Sequence, residues 1–525
     1  MRQSPLIGTQ RGPRHVTAIG AALLTALTLA LTVSACGSDK KEQPAARPHV
    51  NLPGIPPLHR GPHAAAHRPN IVFVLTDDLA WNLVRYMPHV LRMERHGVTF
   101  RNYFVTDSLC CPSRSSIFTG RYPHDTQIFQ NGGGDGGFSK FKTLGEEQDT
   151  FAASLQPDGY RTALMGKYLN GYHPGGGLGG TGHYWPPYWS QFDVGGEAYS
   201  EFGYHLNENG KVVKYGHRPK DYLTDVIAKK GVAFIRRSAA AGQPFMLELA
   251  TFAPHAPYTP APRDRRDFRG VIAARSPAFN TANTKPPSWL DGHPPLGRFK
   301  IRQLNRWFRK RTQAVQAVDR MIGMVERTLA RTGQARNTYI VFSSDNGYHM
   351  GEHRLLAGKL TAFDTDIRVP LVVAGPHVPA GKRVDKLTEN VDLFPTFVRL
   401  AGITVPDKVE GRSLVPLIHG KKVRNWRQAV LVEHHGPDVT VGDPDYPNVD
   451  SGNPTSYEAL RTAHGVYVEY VNGEREFYDL ASDPFELHNA VASLTPLLRE
   501  RLHRTLNALK GCHDALSCWA AAHIR

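Results

Sequence analysis

Residues 71–75, Ile-Val-Phe-Val-Leu, form an unbroken apolar run between Pro69-Asn70 and Thr76-Asp77-Asp78. A run of this length bounded by turn residues predicts a strand buried on both faces, as in a parallel sheet. Residues 338–347, Thr-Tyr-Ile-Val-Phe-Ser-Ser-Asp-Asn-Gly, repeat the design, and 245–250 and 370–374 supply two more apolar strands. Helical spacing of apolar positions runs through 87–96, 113–119, 222–236, 311–331 and 393–401. Strands alternating with helices predict a large α/β domain around a mostly parallel sheet. Between 131 and 216 glycines and aromatics crowd together, which predicts loop lining a cleft. After Gly420 the pattern changes: 429–433, 463–471 and 476–480 read as short strands of a small antiparallel sheet, followed by a helix over 495–510.

The amino terminus carries Arg2, Arg11 and Arg14, then an apolar run over 16–33 that ends Val33-Ser34-Ala35-Cys36-Gly37. Basic region, apolar region and small residues describe an export signal. The cysteine after Val-Ser-Ala resembles a bacterial lipobox, which implies cleavage before Cys36 and its lipidation. Residues 1–36 are thus expected to be a lipoprotein signal peptide placing the protein on the outer side of the cell membrane, with ordinary secretion as the alternative. Residues 37–68, rich in Pro, Ala and His without periodicity, read as a flexible linker.

The chain of 525 residues carries 63 Lys+Arg against 47 Asp+Glu, a net charge of +16, which favours anionic partners. The basic residues are scattered and no nucleic-acid motif accompanies them, so no nucleic acid is expected as a partner. Of five cysteines, Cys512 and Cys518 are close enough to bridge in an exported protein.

The most informative stretch is Leu109-Cys110-Cys111-Pro112-Ser113-Arg114-Ser115-Ser116-Ile117-Phe118-Thr119-Gly120-Arg121. Pro112 suits the first turn of a helix and Gly120 its end. Cys110 then stands at the helix start, where free N–H groups favour an anion, with Arg114 one turn inside. Asp77-Asp78 and Asp345-Asn346 each end an apolar strand, the edge where open α/β sheets bind ligands. Three carboxylates and a carboxamide offer only oxygen, which suits Ca²⁺ or Mg²⁺.

The 109–121 run resembles the signature of the formylglycine-dependent sulfatase family, and Glu476-Phe477-Tyr478-Asp479-Leu480 with Asp483-Pro484 is similar to the segment that closes its fold. The resemblance covers most of residues 69–490. It implies an alkaline-phosphatase-like α/β fold, with a sulfatase catalytic domain over 69–425 and a small C-terminal α+β subdomain over 426–525. Cys110 would be oxidised to formylglycine by a formylglycine-generating enzyme, its register being two residues before Pro112 and four before Arg114. A divalent metal, usually calcium in the family, would be held by Asp77, Asp78, Asp345, Asn346 and the modified Cys110. The hydrated aldehyde would attack sulfur, with Arg114 assisting and Asp345 accepting its proton. Lys167 in Gly166-Lys167, His255 in Pro254-His255-Ala256-Pro257 and Lys359 in Gly358-Lys359 match the family's remaining catalytic positions. Charged donors there would stabilise negative charge as the ester bond breaks.

One departure stands out: many sulfatases read Gly-Lys-x-His where this chain reads Gly166-Lys167-Tyr168-Leu169. That form, with Asn170 following and with His255-Ala256-Pro257-Tyr258-Thr259-Pro260, resembles the N-acetylglucosamine-6-sulfatase and arylsulfatase branch. The implied substrate is a sulfated carbohydrate such as N-acetylglucosamine 6-sulfate, with Trp185, Tyr188 and Trp189 as candidate faces for sugar rings. Two alternatives stay open: an arylsulfatase or phosphate/phosphonate ester hydrolase on the same scaffold, and a non-catalytic glycan-binding surface lipoprotein. His349-Met350-Gly351-Glu352-His353 fits a zinc pattern that requires a helix, but its position after a strand and its glycine predict a loop.

Overall fold

The strand Asn70–Thr76 is the middle of the molecule: every residue in it is buried. Its side chains alternate between two cores, as a period of two requires. Ile71, Phe73 and Leu75 face one cluster, where Phe73 meets Phe397 at 5.3 Å between ring centroids. Val72 and Val74 face the other, with Ile227, Val318 and Ile322. Fully burying a side chain of this kind contributes about 1.5–3 kcal/mol, so this strand alone anchors both layers of helices.

The structure is a computed structural model that describes residues 68–175, 184–439, 442–448 and 450–524. These residues belong to one compact unit, Leu58–Arg525. The expectations for the signal peptide, Cys36 and the linker up to residue 67 lie outside the described residues. Among the described residues no helix is long and apolar enough to cross a membrane.

Among the described residues the central sheet has ten strands. In spatial order they are Lys382–Val384, Val98–Phe100, Leu371–Ala374, Thr338–Ser344, Asn70–Thr76, Phe245–Ala250, Arg161–Lys167, Gln191–Gly195, His205–Glu208 and Lys211–Lys214. The five from Thr338–Ser344 to Gln191–Gly195 run parallel, while Leu371–Ala374, His205–Glu208 and Lys211–Lys214 add antiparallel pairings on the two sides. This is the mixed, mostly parallel α/β sheet expected from the sequence.

Two expectations need correction. Residues 131–216 are not a continuous loop, because four of the ten strands lie inside that stretch. Glycine hid them: Gly166 stands in the strand Arg161–Lys167 at φ +110°, where a Cβ would fall 1.8 Å from the carbonyl oxygen of Ala250. Only glycine permits that approach, and its presence masks the strand pattern. The second correction is the helix expected over 311–331, which spans Arg298–Arg331. Its first turns are dense in Arg and Lys, and only Leu304 and Phe308, four apart, mark the face they bury.

The C-terminal region forms a separate antiparallel sheet, Ala429–His434, Tyr457–Thr462, Gly465–Tyr470 and Arg475–Asp479, in that order. The strand Tyr457–Thr462 was not anticipated, since Glu458 and Arg461 break its apolar pattern. The helix Pro496–Lys510 packs on this sheet through Leu502, Leu506 and Leu509, with Thr495 accepting from the Leu498 N–H at its start. Cys512 and Cys518 form a disulfide with Cα atoms 4.9 Å apart.

Candidate active site

Four parallel strands and their register bring the predicted residues to one level. Thr76 pairs with Ser344, Leu75 with Ala250, and Gly166 with Ala250. The next residues, Asp77-Asp78, Asp345-Asn346, Lys167 and the segment that leads to His255, therefore leave the carboxyl edge of the sheet together. This is the crevice position expected of an open α/β sheet.

Cys110 comes to the same place from the helix Cys110–Thr119. Leu109 enters it in extended conformation, and Gly120 closes it at φ +69° with its N–H on the Ser116 carbonyl. All ten residues of this helix are buried. The Cys110 thiol donates to Asp77 Oδ1 at 3.1 Å, lies 3.5 Å from Asn346 Oδ1, and accepts from Lys359 Nζ at 2.9 Å. Burial, then the charges of Asp345, Asp445 and Asp77, hold this thiol well above its ordinary pKa. A neutral thiol is a poor nucleophile. Cys111 points the other way, into the apolar core.

One turn into the helix, Arg114 donates from Nε to Asp345 Oδ2 at 2.8 Å and from one terminal nitrogen to the Lys167 carbonyl at 3.2 Å. Asp345 Oδ1 accepts from the backbone N–H groups of Asp78 and Asn346 at 3.1 and 2.8 Å. Burial works to raise the Asp345 pKa, but Arg114, Lys167 and Lys359 outweigh it and hold the carboxyl below the usual range. Asp77 is raised by burial in spite of Lys167, whose Nζ stands 2.7 Å from Oδ2. Asp78 accepts from Lys359 Nζ and from Asn346 Nδ2, both at 2.7 Å.

Ligand atoms of Asp77, Asp78, Cys110 and Asp345 all lie within 4.8 Å of one another. Three carboxylates in one buried cluster, with a carboxamide beside them, fit a hard divalent cation. The neighbouring ammonium groups of Lys167 and Lys359 make the site one of dense opposite charge.

Opposite this cluster, His255 donates from Nε2 to Asp445 Oδ1 at 2.6 Å, and its Nδ1 lies 2.8 Å from the Ala256 carbonyl. Burial alone would lower the imidazole pKa; Asp78, Asp445 and Asp77 more than offset it and raise it to about 9. Lys359 Nζ also stands 2.8 Å from Asp445 Oδ1. The sequence reading brought together Asp77, Asp78, Cys110, Arg114, Lys167, His255, Asp345, Asn346 and Lys359, and the structure gathers all nine.

It missed four. Asn131 accepts from the Cys111 N–H at 2.9 Å and donates to Asp445 Oδ2 at 2.8 Å. Arg311, from the long helix, donates to the Asp78 carbonyl and lies 4.1 Å over the Tyr348 ring. Asp445 closes the site from the C-terminal region. Glu248 sits buried in the strand Phe245–Ala250, and its carboxyl oxygens have no hydrogen-bond partner among the described residues. Only Glu248 left a visible signal, an acid inside an apolar run.

No helix holds the 349–353 segment: His349 lies in the short strand His349–Met350 and contacts Asp366 and the Ser451 carbonyl, while His353 stacks on Phe363 and contacts Asn283. Leu169 stands where many sulfatases have histidine, and it lines the first hollow described below. The aromatic trio is corrected. Trp189 packs inward on Phe118 and Phe151, and Tyr188 bonds Gln148. Trp185 donates to the Trp189 carbonyl, and none of the three lines the hollows beside the reaction centre. Tyr172, Tyr199, Tyr258 and Trp307 line them instead.

The model of the sulfatase family matches residues 69–403, and that of the N-sulphoglucosamine sulphohydrolase C-terminal region matches 351–511. The N-acetylglucosamine-6-sulfatase of Homo sapiens is 34% identical over 481 residues, 86% of each chain. The extracellular sulfatase SULF-1 homolog of Drosophila melanogaster is 37% identical over 385 residues, 71% of this chain and 34% of that one. Among solved structures, BT4656 in complex with its substrate D-glucosamine-2-N,6-O-disulfate aligns with a TM-score of 0.69 at 23% identity, covering 84% of this chain and 97% of that one. With a family model across more than half of its residues and a relative this similar along most of its length, the chain belongs to the sulfatase family and is a sulfuric ester hydrolase.

Proposed function

We propose that this sulfatase removes the 6-sulfate of N-acetylglucosamine, or of a closely related sulfated glucosamine, within a carbohydrate. The observation that carries this reading is the 34% identity, over 86% of both chains, with an N-acetylglucosamine-6-sulfatase. The substrate named for BT4656, a glucosamine carrying a 6-O-sulfate, points the same way.

In this reading Asp77, Asp78, Asp345 and Asn346 hold a calcium or magnesium ion, which supplies positive charge beside the sulfate oxygens. Position 110, converted to formylglycine by a maturation enzyme, supplies a hydrated aldehyde as the oxygen nucleophile. The chain's own residues do the rest. Arg114, fixed by Asp345, and Lys167, fixed by Asp77, hold cationic donors on the nucleophile's side. Lys359 binds negative oxygen between Asp78 and position 110. His255, beside the Asp445 carboxylate that favours its protonated form, gives a proton to the departing sugar oxygen. An alcohol leaving group needs that proton far more than a phenol does, because its conjugate base is much stronger.

Export fits the disulfide and the extracellular relative, and we propose lipid anchoring through Cys36. The test is a panel of sulfated monosaccharides, glycosaminoglycan fragments and aryl sulfates, assayed on protein whose Cys110 has been followed by peptide mass spectrometry. The expected result is formylglycine at 110, not at Cys111, with fastest turnover on N-acetylglucosamine 6-sulfate. Turnover of aryl or choline sulfate alone would reject the sugar, and an intact thiol in active protein would reject the nucleophile.

A further inference from the structure

Two hollows adjoin the reaction centre. One, of about 240 Å³, is bounded by Asn131, Lys167 and Tyr199; the other, of about 320 Å³, by His255, Trp307 and Lys359. Residues 442–448 run between them. Asp443 and Pro444 wall the first, and Pro444, Asp445 and Tyr446 wall the second. From this partition the Asp445 side chain, 2% exposed, reaches into the site. Its Oδ1 accepts from His255 Nε2 at 2.6 Å and from Lys359 Nζ at 2.8 Å, and its Oδ2 accepts from Asn131 Nδ2 at 2.8 Å.

These donors are an imidazole, an ammonium and an amide, converging on one carboxylate. A sulfate ester carries the same single negative charge and needs the same kind of donors. One set of donors cannot hold both anions at these distances. We infer that Asp445 is a tethered internal anion: it occupies part of the sulfate ester's seat and must be displaced by substrate. A tethered group competes at an effective concentration in the millimolar range or above, which no dilute free anion matches. The displacement costs every sulfate ester alike, so inorganic sulfate and small aryl sulfates, which offer little beyond their charge, are left weakly bound. A sulfated sugar adds contacts along the walls of both hollows, which offset the displacement.

This inference rests on the sulfated-sugar reading above and is tested so that the two fail separately. Asp445→Asn keeps the shape and removes the charge. The expected result is a fall of about tenfold in the KM for 4-nitrophenyl sulfate and in the inhibition constant of inorganic sulfate, a step of one decade in affinity. The KM for N-acetylglucosamine 6-sulfate should fall by a similar factor, since it displaces the same carboxylate, and Asp445→Ala should act in the same direction as Asp445→Asn. A loss of kcat at unchanged KM would overturn the inference, since it would mark Asp445 as a residue that merely orients His255. An unchanged or raised sulfate inhibition constant would overturn it as well. Thermal protection by inorganic sulfate, measured on protein that retains the Cys110 thiol, reads the seat without turnover. Its half-maximal concentration should fall in the variant even if no sulfated sugar proves to be a substrate.

Discussion

Glu248→Gln tests how a buried acid is kept in the sheet below the reaction centre. Glu248 pairs in register with Phe73 on one side and Leu164 on the other, and its carboxyl has no hydrogen-bond partner among the described residues. Burial pushes its pKa from 4.5 up to about 8, with Arg114 opposing. Between those values the folded chain keeps a proton that the unfolded chain has released. Stability therefore falls as pH rises from 4.5 to 8 and levels off above. Each pH unit in that window costs about 1.4 kcal/mol, so two units, from pH 5 to pH 7, cost about 2.7 kcal/mol. Glutamine has nearly the same shape and no proton to lose. The stability of the variant relative to the native sequence should thus rise by about that amount between pH 5 and pH 7. The assay is urea unfolding of both proteins at pH 5, 6, 7 and 8 and constant ionic strength, followed by tryptophan fluorescence. A stability difference that is flat across this range would refute the reasoning, because it would mean that Glu248 titrates alike in the folded and unfolded chains.

Three further outcomes are expected. Asp345→Ala should abolish turnover and bound divalent metal, and should destabilise the fold by about 3–5 kcal/mol because it strands the buried Arg114 guanidinium; metal analysis that finds full occupancy with activity retained would contradict this. His255→Asn should lower kcat on sulfated sugars by about 10²–10⁴ and on aryl sulfates much less; equal losses on both leaving groups would contradict the acid role. Cys36→Ser should release the protein from membranes or block its processing, read by fractionation and gel mobility; unchanged behaviour would remove the lipid anchor.

Much of the site was legible because strand ends carry it. Asp77-Asp78 and Asp345-Asn346 follow runs whose apolarity announces a buried parallel strand, and topology then places both at one edge. Lys167 was found through its family position, although the strand that presents it was hidden by Gly166 and its neighbours. Asn131 and Asp445 were illegible for another reason. Each lies in a loop, and its partner is fixed by a long-range closure that no local pattern encodes. Trp189 shows the converse limit. An aromatic-rich segment has the same composition whether its rings face a ligand or fill a core, and here Phe118 and Phe151 claim that ring. In the long helix Arg298–Arg331, charge at the first turns concealed the two apolar positions that dock it.

The burial of the helix Cys110–Thr119 imposes an order in time. Cys110 has no exposed surface in the folded protein, and both ends of its helix are locked, by Asn131 at Cys111 and by Gly120 at the close. The maturation enzyme proposed above would have to reach this segment, which the finished fold buries. The proposed conversion would therefore precede folding, and the two processes would race on each newly made chain. A chain that folded first would be trapped with its thiol. The active fraction of a preparation would then be a kinetic quantity, lowered by anything that speeds folding or delays the modifying enzyme, and it would not recover on storage.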